Sequence, residues 1–187
     1  MKRIALISLL SALAAAPVAA NDVVSRVDAS RAAIQQFAQS LQGELQAAMK
    51  AGGAVQAIEV CHTRAPEIAR QVSRERGVEL SRTSLKIRNP GNRPGGWERE
   101  VLESFDTRRA AGEHPMQIEQ HTYYVRGDEQ EFRFMKAIPT GEVCLTCHGA
   151  QVQAPVEQAL KRLYPNDSAR GYSMGDLRGA FVVRQPM

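Results

Sequence analysis

Residues 121–148 read HTYYVRGDEQEFRFMKAIPTGEVCLTCH, and their reading decides both the fold and its contents. His121 to Val125 and Glu131 to Ala137 carry β-branched and aromatic residues and are joined by a turn at Arg126-Gly127-Asp128. That pattern predicts two antiparallel strands. Directly after them stands Cys144-Leu145-Thr146-Cys147-His148, a C-x-x-C-H run. Two thiols three positions apart suit thioether bonds to the two vinyl groups of one haem, and the following histidine suits an axial nitrogen under its iron. The expectation is one covalent haem c, held by Cys144, Cys147 and His148.

The pattern is specific. With 3 Cys and 4 His in 187 residues, composition alone yields it about once in a thousand chains. A thioredoxin-like C-x-x-C belongs at a strand-to-helix junction early in a βαβ unit, whereas this one lies late, after a β-rich stretch. Half a structural zinc site would need a second Cys/His pair, which the chain lacks.

Residues 1–20 read as a secretory signal. Lys2 and Arg3 are its positive end, Ile4 to Ala16 its apolar stretch and Val18-Ala19-Ala20 its cleavage site. The apolar stretch is short for a membrane span, although an uncleaved anchor is the alternative. Cleavage after Ala20 is expected, leaving residues 21–187 as a single haem domain in the periplasm, where c-type maturation takes place. The mature chain would carry 22 basic and 20 acidic residues. No basic run interleaved with aromatics points to nucleic acid. Aromatic content is only 5%, so a porphyrin would add apolar bulk that the side chains lack.

Val27, Ile34, Phe37, Leu41, Leu45 and Met49 recur at helical spacing, predicting a long amphipathic helix over 22–50. Ala51-Gly52-Gly53 breaks it, and a second helix from about Ala54 to Arg76 carries Val55, Ile58 and Cys61, with Pro66 suiting the first turn of a continuing or restarted segment. Val78 to Ile87 reads as a strand, 88–96 as a Pro/Gly/Asn loop, Trp97 to Arg108 as a helix, Pro155 to Leu163 as a helix and Arg178 to Val183 as a last strand. The sum is α+β: an N-terminal helical pair, then an antiparallel sheet with flanking helices.

The second axial position has several candidates on spacing alone. Cys61 is the odd cysteine; Ala65, Ile68 and Val72 continue its helical face, so it points into the core, as an inert buried thiol also would. His62 lies one helical step away and faces elsewhere. His114, Met116 and His121 are further candidates, whereas Met135 and Met174 read as core filler.

Beyond spacing, Val60-Cys61-His62-Thr63-Arg64-Ala65-Pro66-Glu67-Ile68-Ala69 resembles the signature of a family of exported single-haem c-type proteins with a PAS-like fold. The likeness continues through 84–90 with Asn92, Pro94 and Trp97-Glu98, then Cys144 to Gly149, then 164–172 and 175–180. It covers nearly all of the mature chain, with the blocks in family order. The resemblance implies Cys61 as distal axial ligand opposite His148. His62, where many relatives carry a small residue, is the fallback ligand.

A thiolate favours ferric iron, and reduction weakens its bond, so a His/Cys haem suits a redox sensor or a sensor of diatomic gas such as CO or NO. The output would then pass to a redox partner or a membrane receptor. A small periplasmic electron-transfer cytochrome is the alternative. A peroxidase-like enzyme comes third, because no distal acid/base pair is evident. Lys86, Arg88 and Arg93, in or beside the 88–96 loop, are candidate partners of the haem propionates, and Arg82 is a weaker one. Trp97, Tyr123, Tyr124 and Phe134 are candidates to wall the porphyrin, with ordinary core packing the competing reading.

Overall fold

The computed structural model describes residues 17–187, with side chains from residue 22 onward. The positive end and apolar stretch of the expected signal sequence therefore lie outside the described residues, whereas the expected cleavage site falls in the first turn of α1. Among those residues, no helix is long and apolar enough to cross a membrane.

Helix α1 (Pro17–Arg76) is two arms rather than one rod. Gly53 has φ 69° and ψ −160°, a conformation open essentially only to glycine, and the chain reverses there. Paired contacts show the arms to be antiparallel: Glu44 accepts two hydrogen bonds from Arg64 at 2.7 and 2.8 Å, and Gln36 meets Glu75 and Arg76. The expected helical pair is thus present, but Pro66 stands in the interior of the second arm rather than at a helix start.

Four strands follow, β1 (Glu79–Thr83), β2 (Glu119–Arg126), β3 (Glu129–Pro139) and β4 (Leu177–Pro186). They form one antiparallel sheet in the order β1-β4-β3-β2. The strand expected over 78–87 stops at Thr83. There the Ser84 amide turns to the Asn92 carbonyl and the Ser84 hydroxyl to the carbonyls of Lys86 and Arg178. Residues 84–88 therefore leave the sheet as a loop.

Successive residues of a strand face opposite sides, and both sides are covered. Phe132, Phe134 and Val183 pack with Leu80 against Ala33, Ile34, Phe37, Ile68 and Val72 of α1. Met135, Ala137, Ala180 and Val182 pack against Val101, Leu102 and Phe105 of α2 (Gly96–Ala110). The molecule is thus a helical hairpin, a sheet and a helix in three layers. Phe132 and Phe134 are wholly buried and contribute roughly 1.5–3 kcal/mol each. Two further helices, α3 (Glu142–His148) and α4 (Ala154–Leu163), lie between β3 and β4 in the chain. Val156, Ala159 and Leu160 of α4 pack on Ile58 of the second arm.

Candidate functional site

The C-x-x-C-H run forms almost the whole of α3, a helix not foreseen from the sequence. Residues at i, i+3 and i+4 share a helical face, so Cys144, Cys147 and His148 project together. They meet a cleft with about 1050 Å³ of atom-free space, counting the part open to solvent.

The apolar stripe of the first arm runs from the core into this cleft. Ile34 and Phe37 are buried under the sheet, while Leu41, Leu45 and Met49 wall the cavity. The second arm supplies Ala57, Ile58 and Cys61, and the end of β3 supplies Ile138 and Pro139. Cys61 thus reaches the same cavity as the three residues of α3, across the fold. Burial pushes its thiol pKa up, while Arg82, Arg88 and Arg178 act in the opposite direction. Burial likewise raises Cys147.

His148 is held in one tautomer. Its Nδ1 lies 2.8 Å from the Ala169 carbonyl, and a carbonyl only accepts, so Nδ1 carries the hydrogen and Nε2 keeps a lone pair. Arg88 Nη1 lies 3.3 Å from Nε2, and Arg178 Nε packs against the ring, 3.1 Å from Nδ1 and 3.4 Å from Nε2. Burial first, then the positive charges of Arg178 and Arg88, press the imidazole pKa down to about 3. The ring is therefore neutral at neutral pH, the form that binds metal.

Behind the ring sits a buried ion pair. Asp167 and Arg88 side chains are 4% and 9% exposed and lie 3.1 Å apart. Asp167 also accepts from the Ala169 amide at 2.9 Å and from Arg170 at 3.2 Å. Burial alone would raise the Asp167 pKa, but these donors outweigh it and hold the carboxyl below its usual value. Arg88 Nη2 donates to the carbonyls of Cys147 and Ala169 at 2.6 and 3.2 Å. The pair therefore fixes both the α3 backbone and the carbonyl that orients His148.

The other sequence candidates are scattered. Lys86 lies outside the cleft, with Nζ 3.2 Å from the Arg170 carbonyl and 4.8 Å from the Tyr172 ring centroid. Arg93 is not part of the cleft wall either, whereas Arg82 and Arg178 are. His62 is exposed, its ring edge-on to Tyr164 at 5.1 Å, and Tyr164 rather than His62 lines the cavity. His114 caps its own turn, with Nδ1 accepting from the Met116 amide, and His121 stacks on Phe132. Met116 and Met174 are exposed and Met135 is core. Phe134 is core, Tyr123 is partly exposed, and Trp97 and Tyr124 flank Arg133. Apart from Tyr164, the apolar part of the wall is aliphatic or sulfur-bearing. Asp167, Ala169 and Arg178 were missed as site residues, although they fall within the family blocks at 164–172 and 175–180.

Two thiols and a neutral imidazole on one helical face, a third thiol from another arm, aliphatic walls and a cationic rim make a donor set that suits an iron porphyrin. Haem would be held here by Cys144, Cys147, His148 and Cys61.

The crystal structure of the cyanobacterial haem protein Tll0287 superposes with a TM-score of 0.60 at 23% identity, covering 92% of this chain and 98% of that one. At that identity the likeness is one of fold, and it agrees with the expected PAS-like α+β architecture. Among curated proteins, none matches this sequence. The sequence profile of one family spans residues 11–186, and the chain belongs to that family, the Tll0287-like proteins.

Proposed function

We propose that this protein is an exported, periplasmic, single-haem c-type module that senses redox state or a diatomic gas. Cys144 and Cys147 would hold the haem covalently, and His148 and Cys61 would be the residues that ligate its iron. The observation that carries this reading is the convergence of all three cysteines and His148 on one apolar cleft. Bound haem would supply one-electron iron chemistry, with the thiolate side favouring the ferric state.

The chain's own residues have separable tasks. The Ala169 carbonyl keeps the hydrogen on Nδ1 and so leaves the lone pair on Nε2, the nitrogen that would bind iron. Leu41, Leu45, Ile58 and Ile138 supply an apolar wall for the cleft. Arg82, Arg88 and Arg178 offset part of the burial that raises the Cys61 thiol pKa. Cys61 would be the ligand whose hold on iron depends most on redox state, which suits a sensor of redox state or of CO or NO. His62 would serve as a substitute only if the second arm rotated, because Tyr164 stands between it and the cavity. The readout of such a switch belongs to a redox partner or membrane receptor, and the module itself is not an enzyme.

The test is mass spectrometry and optical spectra of the protein purified after export, with a Cys61→Ala variant. A haem mass increment on residues 21–187 and ferric thiolate features lost in the variant are expected, as is CO binding to the reduced protein. A spectrum unchanged in Cys61→Ala sinks the ligand assignment. A fast reversible couple with no CO binding would make the protein an electron carrier instead.

A further inference from the structure

The cleft wall contains three guanidinium groups and no carboxylate. Arg88 has its counter-charge in Asp167, just behind the wall. Among the described residues, Arg82 and Arg178 have no carboxylate partner. Arg178 donates through Nη1 to the Ser84 hydroxyl at 3.0 Å and leans towards the Lys86 carbonyl at 3.4 Å, which leaves Nη2 without an acceptor. Arg82 reaches no acceptor at all; its guanidinium carbon lies 5.1 Å from the Phe37 ring centroid.

Cations set without a counter-charge against aliphatic walls are costly, because neither water nor a partner replaces the lost hydration. Their placement is also paired. Arg82 sits near the end of β1, and Arg178 sits on the neighbouring strand β4, just beyond the last β1–β4 partners Thr83 and Ala180. Arg82 pairs with Phe181, three residues along β4 from Arg178, and both side chains line the same cleft at this end of the sheet. Such a site is balanced by an occupant that brings two anionic groups on one edge.

We propose that Arg82 and Arg178 form a carboxylate-binding pair that holds the two propionates of the haem, a role that Lys86 and Arg93 do not share. The inference rests on the haem reading above and adds the residues that select a dianionic tetrapyrrole over a neutral one. A charge-assisted hydrogen bond to each carboxylate implies discrimination on the order of 10- to 100-fold per arginine.

The experiment uses the full chain with Cys144→Ala and Cys147→Ala, which keeps His148 and Cys61 but leaves the tetrapyrrole free to exchange. Ferric haem and its dimethyl ester are titrated in parallel. Haem is expected to bind far more tightly than the ester. Arg82→Gln or Arg178→Gln should each shrink that ratio at least several-fold, the double variant should bring it close to one, and Arg82→Lys should restore part of it. Equal affinity for the two probes, or a ratio that survives in the double variant, overturns the proposal. If the alanine background does not fold, resonance Raman spectra of the covalently loaded chain decide. Propionate bending bands that shift in Arg82→Gln and Arg178→Gln support the pair, and bands unchanged in both refute it. The haem reading fails separately: exported wild-type protein without a haem mass increment overturns both, whereas loaded protein indifferent to the two arginines overturns only this inference.

Discussion

At the scale of single residues, the site divides into groups that touch the cleft and groups that aim them. Asp167 is among the second kind. Its carboxylate is buried and accepts from Arg88, Arg170 and the Ala169 amide. Asp167→Asn would leave Arg88 as a buried, uncompensated cation, a change that costs roughly 3–5 kcal/mol. Urea denaturation should show that loss, and Asp167→Ala should be no milder. A cost under about 1 kcal/mol would mean that solvent or a neighbour replaces the carboxylate. Legibility at this scale follows locality. Cys144, Cys147 and His148 were readable because a five-residue pattern carries their chemistry. Asp167 and Arg178 were not, because their partners lie far away in the chain. Arg82 is the intermediate case. Strand alternation puts it on the face of Leu80, towards the helical hairpin, so the sequence did hold a signal. Nearness to the Pro/Gly loop drew attention to Lys86 and Arg93 instead.

At the scale of elements, the strands and helices were largely foreseen, because hydrophobic periodicity is a local property. The departures have physical causes. β1 ends early because Ser84 spends its hydrogen bonds on Asn92, Lys86 and Arg178. Helix α3 was hidden because Cys, Thr and His carry little helical signal, and the spacing needed for haem happens to be a helical spacing as well. Where β4 meets the end of β1, Gly179 has φ 154°, and a Cβ there would stand 2.2 Å from the Thr83 carbonyl oxygen and 3.0 Å from the Ser84 Cβ. The close approach of β4 to the end of β1, next to Arg178, thus requires a residue without a side chain. Gly179→Ala should lower Tm, at about 2–4 °C per kcal/mol lost. It should also weaken haem retention more than an alanine placed at the exposed Gly96, where nothing lies within 4 Å of the added carbon. Equal effects on retention at the two positions would show that the close approach does not serve the cleft.

At the scale of the whole molecule, the layers are held by apolar contacts, while the cleft end is held by charge, so the two parts respond differently to acid. His148 has its pKa pressed to about 3, against an ordinary value of ~6.5. In chain carrying no metal, the unfolded state therefore binds more protons than the folded one between these values. Stability is full above ~6.5 and falls as the pH drops towards 3, by several kcal/mol in all. The carboxyls act in a lower window. Asp167 is held below its usual value by donors that outweigh its burial, and so is Glu119, through Arg31 and Lys136. Their contribution is complete above ~4 and is lost only as the pH falls through their lowered folded values. Urea midpoints measured from pH 7.5 to 2.5 on protein made without haem should thus decline in two stages. His148→Gln should remove the upper stage, and Asp167→Asn should reduce the lower one. In loaded protein, iron on Nε2 would withhold that nitrogen from protons, so the upper stage should vanish without any mutation. A decline above pH 5 that persists both in His148→Gln and in loaded protein would assign the acid sensitivity to groups outside the cleft.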